Sequence, residues 1–149
     1  MGKQSLDTPV GKLYLSSDGE SITELKFGSC EKEQPDAVTE MAKIELEEYF
    51  SGRRKSFSVP IKPRGTDFQR RVWSALCEIP YGETASYGDI AKKIGNAKAC
   101  RAVGMANNRN PIAIIIPCHR VVGSDGTLTG YAGGLDKKEF LLKLEAQRR

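Results

Sequence analysis

Long apolar runs are missing from this chain of 149 residues. No stretch approaches the roughly 18 consecutive apolar residues that a membrane-spanning helix needs. The N-terminal segment MGKQSLDTPVGK also lacks the apolar core of a secretory signal peptide. These absences argue against a membrane-spanning or secreted protein. They predict a cytoplasmic protein, or a nuclear one in a eukaryote, with no membrane partner.

Histidine and paired cysteines are scarce as well. The chain has one His and four Cys, and no two of these Cys form a C-x-x-C motif. A single His cannot complete the usual Cys and His ligand sets of zinc, and the wide spacings disfavour a site made of four Cys. A reducing compartment disfavours disulfides. We therefore expect no metal site and mostly free thiols.

Charge is distributed unevenly along the chain. Residues 1–59 carry 8 Lys and Arg against 11 Asp and Glu, a net charge of −3. Residues 60–149 carry 15 against 8, a net charge of +7, and the two parts together give the overall +4. A basic half of this kind predicts an anionic partner, for which nucleic acid is the obvious candidate. A Lys-rich surface that is merely solvated is the alternative.

Residue patterns divide the chain into two predicted domains, 1–60 and 61–149. In the first domain, VGKLYLSS and SITELKF alternate apolar and polar residues around an Asp-Gly pair, which predicts a β-hairpin. The segment PDAVTEMAKIELEEYFSG predicts an amphipathic helix. Four of its apolar residues are expected near one face: Val38, Met41, Ile44 and Leu46. The following SVPIKPRGT predicts a linker or a last strand.

Short helices dominate the predicted second domain. The segment TDFQRRVWSALCEI has a Thr or Asp cap and then Phe68, Val72, Trp73 and Leu76 at helical spacing. In SYGDIAKKIG, Ser86 is a candidate N-cap, Asp89 stands three residues later, and Gly95 ends the helix. A tight turn, GNAK, then leads to another short helix within ACRAVGMANNRNP. Such a pair predicts a helix-turn-helix, although generic helix pairs share the pattern.

The second helix of this pair carries few large side chains. It contains Ala99, Ala102, Gly104 and Ala106, and Arg101 is its conspicuous long side chain. Small residues allow a helix backbone to approach a partner closely, and a lone Arg can then probe into that partner. Close packing against another helix, with Arg101 facing solvent, explains the pattern equally well.

The segment IIIPCHRVVG places the only His of the chain directly after a Cys. The three Ile residues at 112, 114 and 116 predict an extended buried segment that ends at Pro117. Residues adjacent on a strand point to opposite faces, so His119 would reach Cys118 most easily through a water. An inert buried cysteine is the plain alternative.

A nucleophilic role for Cys118 would require help from its surroundings. A thiol with an ordinary pKa of about 8.5 is mostly protonated at neutral pH, so it needs a base or a nearby positive charge. His119 offers the base and Arg120 a charge. The last predicted helix, DKKEFLLKLEAQRR, offers Glu139 and Glu145 as carboxylates to orient the imidazole.

Two long segments carry a family resemblance. GTDFQRRVWSALCEIPYGETASYGDIA and RAVGMANNRNPIAIIIPCHRVVGSDGTLTGYAGGLDKKEFLLKLE, in this order, resemble the O6-alkylguanine-DNA alkyltransferases, also called methylated-DNA–protein-cysteine methyltransferases. The resemblance covers essentially all of residues 60–149. Its most specific part is Pro-Cys-His-Arg-Val with an upstream Asn-Pro and a downstream Tyr-x-Gly-Gly. The N-terminal part is similar in size and strand-helix order only.

This resemblance implies an α+β fold. A small N-terminal sheet-plus-helix domain would precede a mainly helical, winged helix-turn-helix-like DNA-binding domain that carries the active cysteine. It also implies a DNA repair protein that flips the damaged nucleotide out of double-stranded DNA. The alkyl group of O6-alkylguanine, and also that of O4-alkylthymine, would pass irreversibly to Cys118. One monomer would be consumed per lesion, without a cofactor.

The same resemblance implies roles for the residues around the cysteine. His119 would draw the thiol proton through a water, Glu145 would hold the other imidazole nitrogen, and Asn110 would brace the turn. Tyr87 would lie near the phosphate that rotates and donate its hydroxyl proton to the purine N3. A neutral donor with a pKa of about 10 suits the departing guanine anion.

Further residues are implied to contact DNA and the flipped base. Arg101 would take the place of the extruded base in the stack. The other implied DNA contacts are Ala99, Ala102, Arg109 and Tyr87. The base pocket would be formed by the loop from Tyr131 to Gly134, and it includes Ala132 and Gly133. Some family members have Ser at position 132, so only the backbone N–H of Ala132 could contact the guanine oxygen here. The N-terminal zinc ligands of some members are absent.

Three other functions compete with this interpretation. A non-catalytic binder of alkylated DNA would flip the lesion without transfer, but in such relatives the cysteine is replaced, whereas Cys118 is present. A Cys–His hydrolase would turn over and needs an oxyanion hole, for which the sequence gives no signal. A helix-turn-helix regulator would prefer one DNA sequence and ignore alkylation.

Overall fold

A computed structural model describes residues 1–147 of the chain. The chain folds into two compact units, of which the first runs from Met1 to Arg64 and the second begins at Gly65. A small antiparallel sheet and one helix form the first unit, and helices dominate the second. The predicted α+β class is thereby confirmed. No helix within residues 1–147 is long and apolar enough to cross a membrane.

Three strands build the sheet of the first unit: β1 (Lys3–Thr8), β2 (Gly11–Ser17) and β3 (Ile22–Phe27). They pair antiparallel in chain order. The turn between β2 and β3 is the hairpin that the sequence predicted. The Asp18 carboxylate accepts hydrogen bonds from the backbone N–H groups of Glu20 and Ser21, and Gly19 adopts a φ of 99° that favours glycine.

Helix α1 (Ala37–Phe50) begins at Asp36, which forms a capping box with Thr39. The helix itself was predicted, but its buried face was predicted only in part. Met41 is 39% exposed and Ile44 is 54% exposed. The buried positions recur every three or four residues instead: Thr39, Ala42, Glu45, Leu46 and Tyr49. The apolar residues alone did not predict the buried face correctly, because two of the buried residues, Thr39 and Glu45, are polar.

Glu45 explains what happens to the segment after α1. Its buried carboxylate accepts hydrogen bonds from the backbone N–H groups of Ser58 and Val59 and from the Ser58 hydroxyl. The segment then forms a single parallel bridge between Ile61 and Ile22 of β3. The predicted linker or last strand is therefore a short bridged segment rather than a full strand.

The second unit contains three consecutive short helices: α2 (Asp67–Leu76), α3 (Tyr87–Lys93) and α4 (Cys100–Asn108). Capping boxes start the first two, at Thr66 and at Ser86 with Asp89, as the sequence predicted. Helix α3 ends before Gly95, which has a φ of 82°. The indole N–H of Trp73 donates to the carbonyl of Ala106 at 2.8 Å and so attaches α2 to α4.

Smaller elements complete the second unit. Strand β4 (Ala85–Ser86) pairs in parallel with β5 (Val121–Val122). A 3-10 helix (Cys118–Arg120) directly precedes β5, and helix α5 (Leu135–Gln147) is the last element described. Helices α3 and α4 and the turn between them have the form of a helix-turn-helix, and nine residues of irregular backbone separate α4 from the 3-10 helix.

Candidate active site

The backbone between α4 and Cys118 is a compact buried turn. The sequence predicted an extended segment here, and that prediction is wrong: the N–H of Ile116 donates to the carbonyl of Ile112. Ile114 has a φ of 70°, a left-handed conformation that costs a β-branched residue on the order of 1–3 kcal/mol. Asn110 holds the turn, because its Nδ2 donates to the Ile116 carbonyl at 2.8 Å and its Oδ1 accepts from the Ile112 N–H at 2.9 Å.

Cys118 begins the 3-10 helix and is buried, with 6% of its surface exposed. Burial raises the pKa of its thiol to about 11, against opposing contributions from the Asn110 side chain and the Lys138 charge. Only on the order of one thiol in 10⁴ is ionised at neutral pH with such a pKa. The resting thiol is thus protected, and it requires a base when it reacts.

A buried carboxylate organises the side chains that follow the cysteine. Oε2 of Glu145 lies 2.7 Å from Nε2 of His119, and Oε1 lies 2.8 Å from Nε of Arg120. A second guanidinium nitrogen of Arg120 donates to the carbonyl of Ile79 at 2.7 Å. Burial alone would raise the pKa of Glu145, but hydrogen bonds from His119 and Arg120 lower it to about 2. Glu145 is therefore ionised at neutral pH.

An ionised Glu145 fixes the proton on the imidazole. A carboxylate can only accept hydrogen bonds, so Nε2 of His119 carries the proton and Nδ1 carries the lone pair. Burial lowers the pKa of His119, which keeps the ring neutral, although Glu145 opposes this shift. Nδ1 is buried and has no hydrogen-bond partner among residues 1–147. His119 consequently presents an unprotonated nitrogen that can act as a base.

Glu139, the other carboxylate that the sequence offered, lies elsewhere. It is exposed and forms an ion pair with Lys143 at 2.8 Å. Arg120, proposed as the positive charge beside the thiol, is occupied with Glu145 instead. Of the two carboxylates, only Glu145 contacts His119.

Lys138 is the cation that acts on Cys118, and sequence reasoning missed it. It is fully buried, and its Nζ donates to the carbonyls of Val121 at 2.5 Å and Thr129 at 2.6 Å. Burial lowers the pKa of Lys138, whereas Cys118 raises it. The spacing along α5 could have identified Lys138. It precedes Glu145 by two helical turns and so lies on the same buried face, together with Leu141.

The exposed face of α4 carries most of the predicted DNA contacts. Arg101, Ala102 and Arg109 are exposed, and Met105 between them is 58% exposed. Their spacing places them along one face of the helix. Ala99 is half-buried and serves as the N-cap of α4 without a side-chain hydrogen bond. This face therefore exposes two guanidinium groups, with one small side chain and one methionine between them.

Tyr87 and the segment after β5 lie at the same end of the unit. The Tyr87 hydroxyl is 2.7 Å from the Thr129 hydroxyl, and the Tyr87 ring lies against Gly104 of α4. Burial raises the pKa of Tyr131 well above its ordinary value, and the Coulomb interaction with Cys118 raises it further. Within the loop from Tyr131 to Gly134, a backbone bond joins the Gly134 N–H to the Tyr131 carbonyl, while Ala132 is exposed and Gly133 half-buried.

Groups of three or more His, Cys, Asp or Glu that could hold a metal ion do not occur in the described part of the chain. The four cysteines are free thiols, at positions 30, 77, 100 and 118. The second unit combines a helix-turn-helix with a buried thiol and an imidazole that a carboxylate orients. This combination defines a class of protein: a DNA-binding fold that carries a nucleophile.

Comparison with known sequences gives the family. Residues 1–63 match the ribonuclease-like domain of 6-O-methylguanine DNA methyltransferase, and residues 67–147 match its DNA binding domain. The chain therefore belongs to the 6-O-methylguanine DNA methyltransferase family, which confirms the resemblance seen in the sequence. A methylated-DNA–protein-cysteine methyltransferase of Methanosarcina acetivorans is 57% identical over 147 residues, covering 93% of this chain and 94% of the relative.

Solved structures agree with this assignment. Mycobacterium tuberculosis OGT in complex with DNA has a TM-score of 0.92 and 49% identity, and the match covers 99% of this chain and 94% of that one. S. pombe Atl1 in complex with damaged DNA containing O6-carboxymethylguanine has a TM-score of 0.50 and 34% identity. That match covers 55% of this chain and 78% of the other.

Proposed function

We propose that this protein is a methylated-DNA–protein-cysteine methyltransferase that moves the alkyl group of O6-alkylguanine in double-stranded DNA to its own Cys118. The main support for the proposal is the buried Cys118 and the imidazole of His119 that follows it. The ionised Glu145 accepts the proton of Nε2 in a hydrogen bond and so leaves Nδ1 unprotonated. Such a pair supplies a nucleophile and its base, which alkyl transfer to a thiol requires. O4-alkylthymine is the second substrate proposed.

The transfer is a displacement at the alkyl carbon. The sulfur of Cys118 forms a bond to that carbon while the bond from the carbon to the guanine O6 breaks. The thiol proton passes through a bridging water to Nδ1 of His119, and Glu145 stabilises the resulting imidazolium. The guanine leaves as an anion, to which the Tyr87 hydroxyl donates at N3. The thioether product has no good leaving group, so each molecule reacts once and no cofactor is needed.

Asn110 contributes by holding the geometry of the nucleophile. Its amide ties Ile112 to Ile116, two residues before Cys118, and thereby supports the strained turn around Ile114. A catalytic group must stay within a fraction of an ångström of its productive position, so a braced turn suits an in-line attack. The loop that includes Tyr131, Ala132 and Gly133 would close over the flipped base.

Binding to DNA is assigned to the exposed face of α4. The small side chains of Ala99 and Ala102 allow the helix to approach a groove of DNA closely. Arg109 neutralises a phosphate, and Arg101 fills the space that the extruded base leaves. Tyr87, at the start of α3, contacts the rotated phosphate. The net charge of +7 on residues 60–149 supports this assignment, since phosphate contacts supply most of the affinity for DNA.

The domain at 61–149 thus carries binding and transfer in one monomer, and the domain at 1–60 accompanies it. The free thiols suit a reducing compartment, which supports a location in the cytoplasm, or the nucleus in a eukaryote. A non-catalytic lesion binder is the second candidate, supported by the likeness to S. pombe Atl1 bound to damaged DNA. The presence of Cys118 beside His119 favours transfer.

The Cys118→Ala variant tests the proposal. It should bind a duplex containing O6-methylguanine with nearly the affinity of the wild type and remove no methyl group. The matched control is Cys77→Ala, which deletes an exposed thiol of the same unit and should keep full transfer. Methyl removal by Cys118→Ala would refute the assignment of the acceptor. Binding by the wild type without methyl removal would support the lesion binder.

A further inference from the structure

Thr129 occupies an unusual position on the segment that precedes the loop over the base. Its backbone carbonyl accepts a hydrogen bond from the buried Lys138 at 2.6 Å, and its hydroxyl lies 2.7 Å from the Tyr87 hydroxyl. The next residue, Gly130, packs so closely on the end of α4 that a Cβ there would lie 3.3 Å from Oδ1 of Asn108. Helices α3, α4 and α5 therefore all hold this part of the chain.

The ring of Tyr87 is similarly restrained. Tyr87 is the first residue of α3, and a Cβ on Gly104 of α4 would lie 3.7 Å from its Cε1 atom. With the Tyr87 ring packed against α4, the freedom that matters is the direction of the phenolic proton. A phenol has one proton to donate and can accept hydrogen bonds on its oxygen. The neighbour of that oxygen decides which way the proton points.

We propose that Thr129 is a positioning residue for Tyr87, whose hydroxyl it orients by donating its own hydroxyl proton to the Tyr87 oxygen. This inference rests on the proposed function, in which Tyr87 donates to the purine N3. With Thr129 as the donor, the proton of Tyr87 remains available for the flipped base. Hydrogen bonds in a chain polarise one another, so the bond from Thr129 also makes Tyr87 a stronger donor.

The arrangement acts when the guanine leaves. Negative charge spreads over the departing purine, and the Tyr87 proton shifts toward N3. The Tyr87 oxygen then gains electron density, which the hydrogen bond from Thr129 stabilises. No bond to Thr129 itself forms or breaks, and its hydroxyl keeps its proton. Because the Thr129 backbone is anchored by Lys138, the donor stays in place while the base enters.

Four variants test this role: Thr129→Val, Thr129→Ser, Tyr87→Phe and the double variant Thr129→Val with Tyr87→Phe. Valine has nearly the shape of threonine but no hydroxyl, and serine keeps the hydroxyl. The measurement is the second-order rate of methyl transfer from O6-methylguanine in duplex DNA. Thr129→Val should be about 5- to 10-fold slower than wild type, the loss expected for one positioned hydrogen bond, and Thr129→Ser should stay within about twofold.

The double variant separates positioning from a structural effect. If Thr129 acts through the Tyr87 hydroxyl, adding Thr129→Val to Tyr87→Phe should cause little further loss of rate. Thr127→Val is the matched control, since Thr127 is an exposed threonine of the same segment that bonds to Asp125. It should react at the wild-type rate. Thermal unfolding of each variant shows that the compared proteins are folded.

Several results would overturn the role of Thr129. A wild-type rate for Thr129→Val would do so, as would equal losses in the Val and Ser variants. Additive losses in the double variant would point to a structural effect independent of Tyr87. A wild-type protein that transfers no methyl group would instead overturn the proposed function, and the role of Thr129 with it. The wild-type rate therefore distinguishes the two failures.

Discussion

At the scale of single residues, the site combines a protected thiol with a base of fixed tautomer. Burial raises the pKa of Cys118 to about 11, so very little thiolate is present at neutral pH. The base is ready because Glu145 holds the proton on Nε2 of His119. In the proposed mechanism, reaction therefore depends on proton transfer at the moment of attack, and not on a standing population of thiolate.

This arrangement predicts the pH dependence of transfer. The pKa of His119 is lowered from 6.5 by burial, so the imidazole stays neutral at and somewhat below pH 6.5. The rate should therefore remain level as pH falls through 6.5 and decline only when His119 becomes protonated at lower pH. Single-turnover rates between pH 5 and pH 9 measure this. A decline centred at or above pH 6.5 would contradict the lowered pKa.

At the scale of elements, α4 is the helix to which we assign DNA recognition. Its exposed face combines small residues with Arg101, while its buried face packs through Val103 and Ala106. The indole of Trp73 and the ring of Tyr87 hold α4 in place. A rigid helix with small exposed side chains can enter a groove of DNA, and the long side chain of Arg101 can then reach between bases.

Arg101→Ala tests this element. The variant should lose about 10-fold or more of its transfer rate on duplex DNA, because nothing fills the stack after the base is extruded. On free O6-methylguanine base, which needs no flipping, the loss should be small. Arg53→Ala, which removes an equal charge from an exposed site in the first unit, is the control. Equal losses on duplex and free base would refute the role of Arg101.

Local signals made some elements predictable and long-range contacts hid others. The caps at Thr66 and Ser86 were read correctly, because a capping box lies within four consecutive residues. The face of α1 was read only in part, since Glu45 is buried by bonds to Ser58 that no local pattern shows. The turn at Ile114 was missed because a left-handed φ in an Ile contradicts local preference and depends on the bracing side chain.

The site itself divides in the same way. The adjacent Cys118 and His119 were visible as a motif, and the resemblance then supplied a role for Glu145. Lys138 and Thr129 were not identified, because their importance arises from contacts across the fold. Arg120 was predicted to be the positive charge near Cys118, because it is close in sequence. In the structure, Lys138 supplies that charge.

At the scale of the whole molecule, Glu145 connects the last helix to the rest of its unit. Through His119 and Arg120 it holds the 3-10 helix, and through Arg120 it reaches the Ile79 carbonyl beyond α2. Removing Glu145 would take from the buried His119 and Arg120 the carboxylate that both of them contact, which is costly. The carboxylate that we propose orients His119 is therefore also a structural one.

Acid stability follows from this double role. The pKa of Glu145 is about 2 when folded, against 4.5 ordinarily, so its ionisation stabilises the folded state by on the order of 3 kcal/mol above pH 4.5. That stabilisation is lost as pH falls from 4.5 toward 2. Urea unfolding at several pH values should show wild type more stable than Glu145→Gln at pH 7, with the difference shrinking below pH 4.5.

The control for this experiment is Glu139→Gln. Glu139 is exposed and forms an exposed ion pair with Lys143, so its loss should change the free energy of unfolding by about 0.5 kcal/mol or less. A difference between wild type and Glu145→Gln that stays constant down to pH 2 would show that ionisation of Glu145 contributes nothing to stability.

The central claim is that Cys118 accepts the alkyl group and that each molecule does so once. Mass spectrometry of the intact protein and its peptides, after mixing with duplex DNA that contains O6-methylguanine, tests it most directly. We predict a gain of one methyl group, confined to the peptide with Cys118 and saturating at one per protein. A gain at Cys30, Cys77 or Cys100, or no gain from a duplex that the protein binds, would contradict the account.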